Sequence, residues 1–109
     1  MTDSLPQSIA DYYAGKNARD YTKALSGFAP EAAVSDEERQ HVGAEAIQRW
    51  MEATAAEYND QSQVRGSTTD GDRTVVTAEV SGNFPGSPIE LRYAFTLKDG
   101  LITSLAIDS

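Results

Sequence analysis

From residue 89 to residue 97, Ile89, Leu91, Tyr93, Phe95 and Leu97 alternate without a slip with Glu90, Arg92, Ala94 and Thr96. A period of two marks a strand with one face on a core and the other toward water. Such a strand needs neighbours at its edges and a cover over its apolar face. The neighbours are close at hand. Asp99-Gly100 supplies a tight turn, and residues 101–107 return beside the strand. Upstream, residues 73–82 place Val76, Ala78 and Val80 on one face. Asp70-Gly71-Asp72 joins that stretch to a further strand over residues 63–69. The breaker-rich Asn83-Phe84-Pro85-Gly86-Ser87-Pro88 makes the remaining connection. The second half of the chain therefore reads as an antiparallel meander.

The cover comes from the first half, residues 1–59, which read as helical. Ser4 and Gln7 form a capping box with Pro6 in the first turn, and Leu5, Ile9, Tyr12 and Tyr13 fall on one face. Gly15 suits a left-handed helix end, and Asn17 a cap for a second helix bearing Tyr21, Leu25 and Phe28. Gly27 and Pro30 end that helix, and Ala33-Val34-Ser35 reads as a short extended piece. A third helix starts after Gly43. Its apolar arc is Ile47, Trp50, Met51, Thr54, Ala55 and Tyr58, with Glu45, Gln48, Arg49 and Glu52 opposite. Helices first and a sheet second make a single α+β domain over residues 1–109.

Composition narrows the chemistry. The chain has no cysteine, which excludes disulfides, thiol nucleophiles and cysteine zinc sites, and its one histidine cannot build a His-rich metal site. A net charge of −8 with scattered lysines and arginines disfavours nucleic acid. No apolar run approaches the roughly 20 residues of a membrane span, and no leader pattern opens the sequence, so a cytoplasmic location is expected. Nucleotide-binding glycine loops, HExxH and a nucleophile elbow are all missing, so no cofactor, no metal and no covalent intermediate are expected.

Candidate functional residues concentrate around Ala33-Val34-Ser35-Asp36-Glu37-Glu38-Arg39-Gln40-His41-Val42-Gly43. An acid there can be a solvated loop residue, or it can face a pocket and move a proton. His41, the one histidine, stands five residues from Asp36, a separation that permits contact without requiring it, so it is either a surface side chain or a proton partner of that acid. Tyr12, Tyr13 and Tyr93 carry hydroxyls on apolar faces, where each is either a core-edge aromatic or a donor aimed at a ligand. Trp50 and Met51 lie on an ordinary core arc that also serves as a pocket wall if the sheet curls.

The order helix, helix, short strand, helix, meander resembles the nuclear-transport-factor-2-like superfamily, also called SnoaL-like or ketosteroid-isomerase-like. The stretch "FAPEAAVSDEERQHVGAEAIQRWM" (residues 28–51) is similar to a segment of that family, and "ELRYAFTLKDGLITSLAI" (residues 90–107) to its closing hairpin. The resemblance implies three helices packed in a curved antiparallel β-sheet around a cone-shaped apolar pocket. Asp36 falls at the family's general-base aspartate and Tyr12 at its oxyanion-donating tyrosine. Tyr93 stands near the place of a protonated acid. Tyr13, Phe28, Val34, Leu91 and Phe95 would join Trp50 and Met51 as pocket wall. The resemblance also implies homodimerisation through the outer sheet face, with which Thr77, Thr96, Thr103 and Ser104 are compatible. Three readings follow: a cofactor-free acid–base catalyst on a small apolar molecule, a non-catalytic binder of such a molecule, or a dimerisation module with a filled pocket.

Overall fold

The computed structural model describes residues 5–36 and 38–108. The chain opens with α1 (Gln7–Ala18) and α2 (Tyr21–Leu25), then forms β1 (Phe28–Asp36), β2 (Arg39–Val42) and α3 (Ala44–Tyr58). Four strands complete it: β3 (Gln61–Asp70), β4 (Arg73–Ser81), β5 (Ile89–Lys98) and β6 (Leu101–Asp108). All six strands belong to one open sheet in the order β2-β1-β6-β5-β4-β3. The α+β architecture with helices against a curved sheet is the one the sequence implies.

The meander β3 to β6 follows from the alternation. Tyr93 stands opposite Val76 on β4 and Ile107 on β6, and Phe95 opposite Thr74 and Leu105. The inward row is therefore continuous from strand to strand. The register slips between β1 and β6, between β3 and β4, and between β5 and β6. Each such irregularity bends its strand and increases local twist, which curls the sheet toward the helices.

The first half departs from its helical reading. Residues 28–36 form a nine-residue strand centred close to the expected short piece at Ala33-Val34-Ser35. This strand pairs in parallel with β6, so the sheet is mixed rather than wholly antiparallel. Pro30 lies inside the irregular segment between Phe28 and Ala33, where its missing N–H breaks no ladder.

Gly15 is not a helix terminus. The helix runs through it to a cap at Arg19, which takes the left-handed conformation at φ 62°. Glycine is required because α2 crosses so closely that a Cβ at residue 15 would stand 2.3 Å from the backbone nitrogen of Ala24. Asn17 does not cap α2; Asp20 does, accepting from the Lys23 amide at 3.2 Å. Asn17 instead donates to the Ser62 carbonyl at 2.8 Å and accepts from the Ser62 amide at 2.9 Å, tying α1 to β3. Pro6 is the cap residue of α1, and the box proposed at Ser4 lies outside the described residues.

The core gathers at one end of the sheet, where Val76, Phe95, Ile102 and Leu105 meet Ile9 and Tyr12 of α1 and Ile47 of α3. The Tyr12 ring packs edge-to-face on Phe28 and Phe95, with centroids 5.8 Å away in both cases. At the other end the row Leu91, Tyr93 and Ile107 continues, and the space above it is a cavity.

Candidate functional site

The cavity has a volume of about 670 Å³. Val80, Leu91, Tyr93 and Ile107 form its sheet wall. Tyr12, Lys16 and Arg19 come from α1, Tyr21 from α2, and Trp50, Met51, Thr54 and Tyr58 from α3. Phe84 of the connection between β4 and β5 and Ile89 at the start of β5 close it, and Asp36, Glu38, Asp60 and Asp108 add carboxylates. A mostly apolar chamber of this size with a few converging polar groups is the usual form of a small-molecule site.

Asp36 closes β1, opposite Arg39 of the β1–β2 hairpin. Its side chain is half-buried, and its Oδ2 accepts from the Trp50 indole Nε1–H at 3.1 Å. The acid of the stretch over residues 33–43 is therefore held at the chamber rather than free in water. Trp50 lines the chamber without filling it.

Tyr12 is wholly buried, and its hydroxyl has no hydrogen-bond partner among the described residues. Burial, reinforced by Tyr93, Asp60 and Asp36, holds its pKa well above the ordinary phenol value. Tyr93 is pushed up to about 12, chiefly by burial and further by Asp60 and Asp36, while the hydroxyl of Ser62 nearby works the other way. Both phenols are neutral O–H donors near pH 7, and both sense the same two carboxylates.

Lys16, Arg19 and Asp60 were not singled out by the sequence reading. Lys16 Nζ donates to Asp60 Oδ2 at 2.8 Å and to Ser62 Oγ at 3.1 Å, with both charged side chains more than nine-tenths buried. Arg19 braces the pair, donating to the carbonyl of Asp60 at 2.8 Å and to that of Lys16 at 3.0 Å. A signal for Lys16 exists in retrospect. The stripe through Ile9, Tyr12 and Tyr13 reaches residue 16 at the next helical step, so a lysine there had to be buried or break the pattern. Asp60 follows the left-handed Asn59 that ends α3, and no periodicity covers it.

The structure brings Asp36, Tyr12, Tyr93, Trp50, Met51 and Leu91 to one chamber. It places Tyr13, Phe28, Val34 and Phe95 in the packed core behind the wall. The reason is sheet position: Phe95 pairs with Leu105 at the filled end, while Tyr93 pairs with Ile107 at the open one. His41 lies outside the chamber. It lines a second depression of about 610 Å³ with Arg39 and Arg49, and its ring stacks on Trp50 at 5.8 Å. Trp50 and Asp36 belong to both hollows. Among the described residues no group of three or more His, Asp or Glu side chains is placed to hold a metal ion. No helix among them is long and apolar enough to cross a membrane.

The sequence profile of the SnoaL-like domain matches residues 9–105. Among solved structures, a protein from Sinorhizobium meliloti named as a candidate polyketide cyclase is 41% identical, with a TM-score of 0.92 over 95% of each chain. A Catenulispora acidiphila protein of ketosteroid-isomerase-like fold, solved with trimethylamine, superposes at TM-score 0.84 with 18% identity. That match covers 97% of this chain and 87% of the other. TerC, crystallised with polyporic acid, gives 0.82 with 20% identity over 94% and 88%. These last two share the fold alone. No curated protein matches by sequence.

Proposed function

This chain belongs to the SnoaL-like domain family, and on that premise we propose that it is a cofactor-independent acid–base catalyst acting on a small, largely apolar carbonyl compound. Asp36 takes a proton from the carbon beside the carbonyl. The electron pair of that C–H bond moves into the carbonyl, and the charge settles on oxygen. Tyr12 and Tyr93 donate hydrogen bonds to that oxygen. Asp36 then returns its proton to another carbon, or the enolate carbon attacks a second carbonyl carbon, whose π electrons move to its oxygen, and that oxygen takes the proton back from Asp36. The likeness to the Sinorhizobium meliloti protein supports ring closure as the variant to try first.

One observation carries the reading: Tyr12, a wholly buried phenol whose hydroxyl has no partner among the described residues, belongs to the lining of the chamber that holds the Asp36 carboxylate. An unpartnered buried hydroxyl costs roughly 1–3 kcal/mol, which a ligand oxygen would recover. Apolar walls around a bound ligand strengthen each of these electrostatic contacts.

The test is a panel of enolisable aromatic and polyketide-like carbonyl compounds, scored for turnover and for thermal stabilisation. Asp36→Asn is expected to abolish turnover while preserving the melting temperature. A wild-type protein stabilised by a ligand that it never converts, with affinity untouched by Asp36→Asn, would instead make the chain a binder.

A further inference from the structure

The acid–base reading leaves one buried charge of the chamber without a task. Lys16 belongs to the chamber's lining, with its side chain more than nine-tenths buried. An ammonium carries three N–H donors. Two of them are spent, on Asp60 Oδ2 at 2.8 Å and on Ser62 Oγ at 3.1 Å. The third has no partner among the described residues. Charge is unbalanced in the same place. Arg19, also in the lining, donates to the carbonyls of Lys16 and Asp60 and stands 3.7 Å from Asp60 Oδ1. Two cations thus share one carboxylate. The other carboxylates of the lining come from the far strands: Asp36 ends β1, Glu38 lies in the β1–β2 turn and Asp108 ends β6. Ser62 is on β3, and Asp60 immediately precedes that strand. In the sheet β6, β5 and β4 separate β1 from β3, and the wall they give the chamber includes Ile107, Leu91 and Val80. An apolar floor therefore runs between an acid on one side and surplus positive charge on the other.

We propose that Lys16 sets the specificity of the chamber: its unspent N–H holds a carboxylate of the ligand on the β3 side, while Asp36 meets the ligand's other end on the β1 side. A ligand carboxylate brings the cluster of Lys16, Arg19 and Asp60 to neutrality. Taking that carboxylate out of water is costly, and a spare donor with positive charge behind it offsets the cost. The bond is charge-assisted, about twice as strong as one between neutral groups. The substrate class narrows accordingly, to carbonyl compounds with an apolar body and a carboxylate remote from the reacting carbon. This class deepens the acid–base reading and rests on it for the reacting carbon alone. The place of the carboxylate rests on the spare donor and the unbalanced charge.

The probes are beta-benzoylpropionate, an enolisable aryl ketone ending in a carboxylate, and its primary amide, which has nearly the same shape and no charge. Calorimetry at neutral pH gives both affinities. The wild-type chain is expected to bind the acid roughly tenfold tighter than the amide. Lys16→Gln offers Asp60 an amide donor in place of the ammonium, and the preference should vanish. Asp60→Asn leaves Lys16 an acceptor and the cluster two uncompensated cations, so the preference should grow severalfold. Where one of these variants does not fold, the other decides. A merely structural ion pair would lower the melting temperature in both and leave the ratio of the two affinities at its wild-type value. That outcome overturns the proposal, as does a wild-type chain that takes the amide as tightly as the acid, or takes neither. Turnover retained in Asp36→Asn would sink the acid–base reading alone, and an acid preference that follows Lys16 and Asp60 would stand.

Discussion

The indole N–H of Trp50 donates to the Asp36 carboxylate across 3.1 Å, so a side chain on α3 fixes the direction of an acid at the end of β1. On its other side the indole is stacked by His41. Trp50 is thus a wall of the chamber and the holder of its base. Trp50→Phe keeps the aromatic wall and removes the donor. The expected result is a loss of roughly tenfold or more in kcat, because a misdirected base loses its near-attack geometry. The stability cost should be about 1 kcal/mol for one lost hydrogen bond. Steady-state kinetics and a thermal melt together check both figures.

Tyr12 and Tyr13 are neighbours in sequence, and both hydroxyls are buried without a partner among the described residues. Replacing either by phenylalanine removes an unsatisfied polar group, so neither change should destabilise and a small gain is expected. Their consequences for catalysis separate. Tyr12 lines the chamber, and Tyr12→Phe should lower kcat by about 10²–10³, the usual cost of one oxyanion donor. A Tyr12→Phe protein of full activity would exclude the phenol from the reaction.

The buried tyrosines also set the alkaline limit of the fold. Burial raises the pKa of Tyr12 and Tyr13 far above the ordinary value, and that of Tyr93 to about 12. Below pH 10 these groups are protonated in both folded and unfolded chains, and the stability they confer is fully present. Above that value the unfolded chain ionises while the folded chain does not. Stability is then lost as pH rises, with each tyrosine contributing about 1.4 kcal/mol per pH unit until its folded pKa is passed. Denaturant melts should be flat in pH up to about 10 and fall steeply beyond it. Tyr13→Phe should make the fall shallower.

The sequence discloses periodicity and local turn chemistry well, and tertiary approach poorly. The alternation at Leu91, Tyr93 and Phe95 carries the meander, and the arc through Ile47, Trp50 and Met51 carries α3. What alternation cannot say is where along the inward row packing ends and empty space begins. Tyr93 and Phe95 read alike, yet one faces the chamber and the other the core. That boundary depends on where α1 and α3 stop, at Arg19 and Asn59, two left-handed residues that are not glycine. The Lys16–Asp60 pair was hidden for a related reason. Its members are 44 residues apart, and only the docking of α1 onto the start of β3 joins them.

Gly15 offers a test of that docking. In an exposed helix interior, glycine to alanine stabilises by roughly 0.5–1 kcal/mol, because the unfolded chain loses freedom. Read from sequence alone as a helix end, Gly15 would resist substitution for its backbone angle. Neither account applies. The residue is helical, and an added Cβ would lie 2.3 Å from the Ala24 nitrogen and 2.6 Å from its Cα. The obstruction is backbone, which cannot rotate aside as a side-chain tip can. Gly15→Ala should therefore push α2 off α1 and destabilise by about 1–3 kcal/mol or more, the range of overpacking. In a chain of this length each kcal/mol lowers the melting temperature by roughly 4–8 °C. The displacement has a functional arm, since Tyr21 of α2 and Lys16 of α1 both line the chamber. Gly15→Ala should weaken ligand binding even at temperatures where the chain remains folded. A melt equal to or above wild type would mean that α1 and α2 do not cross at Gly15 as closely as described.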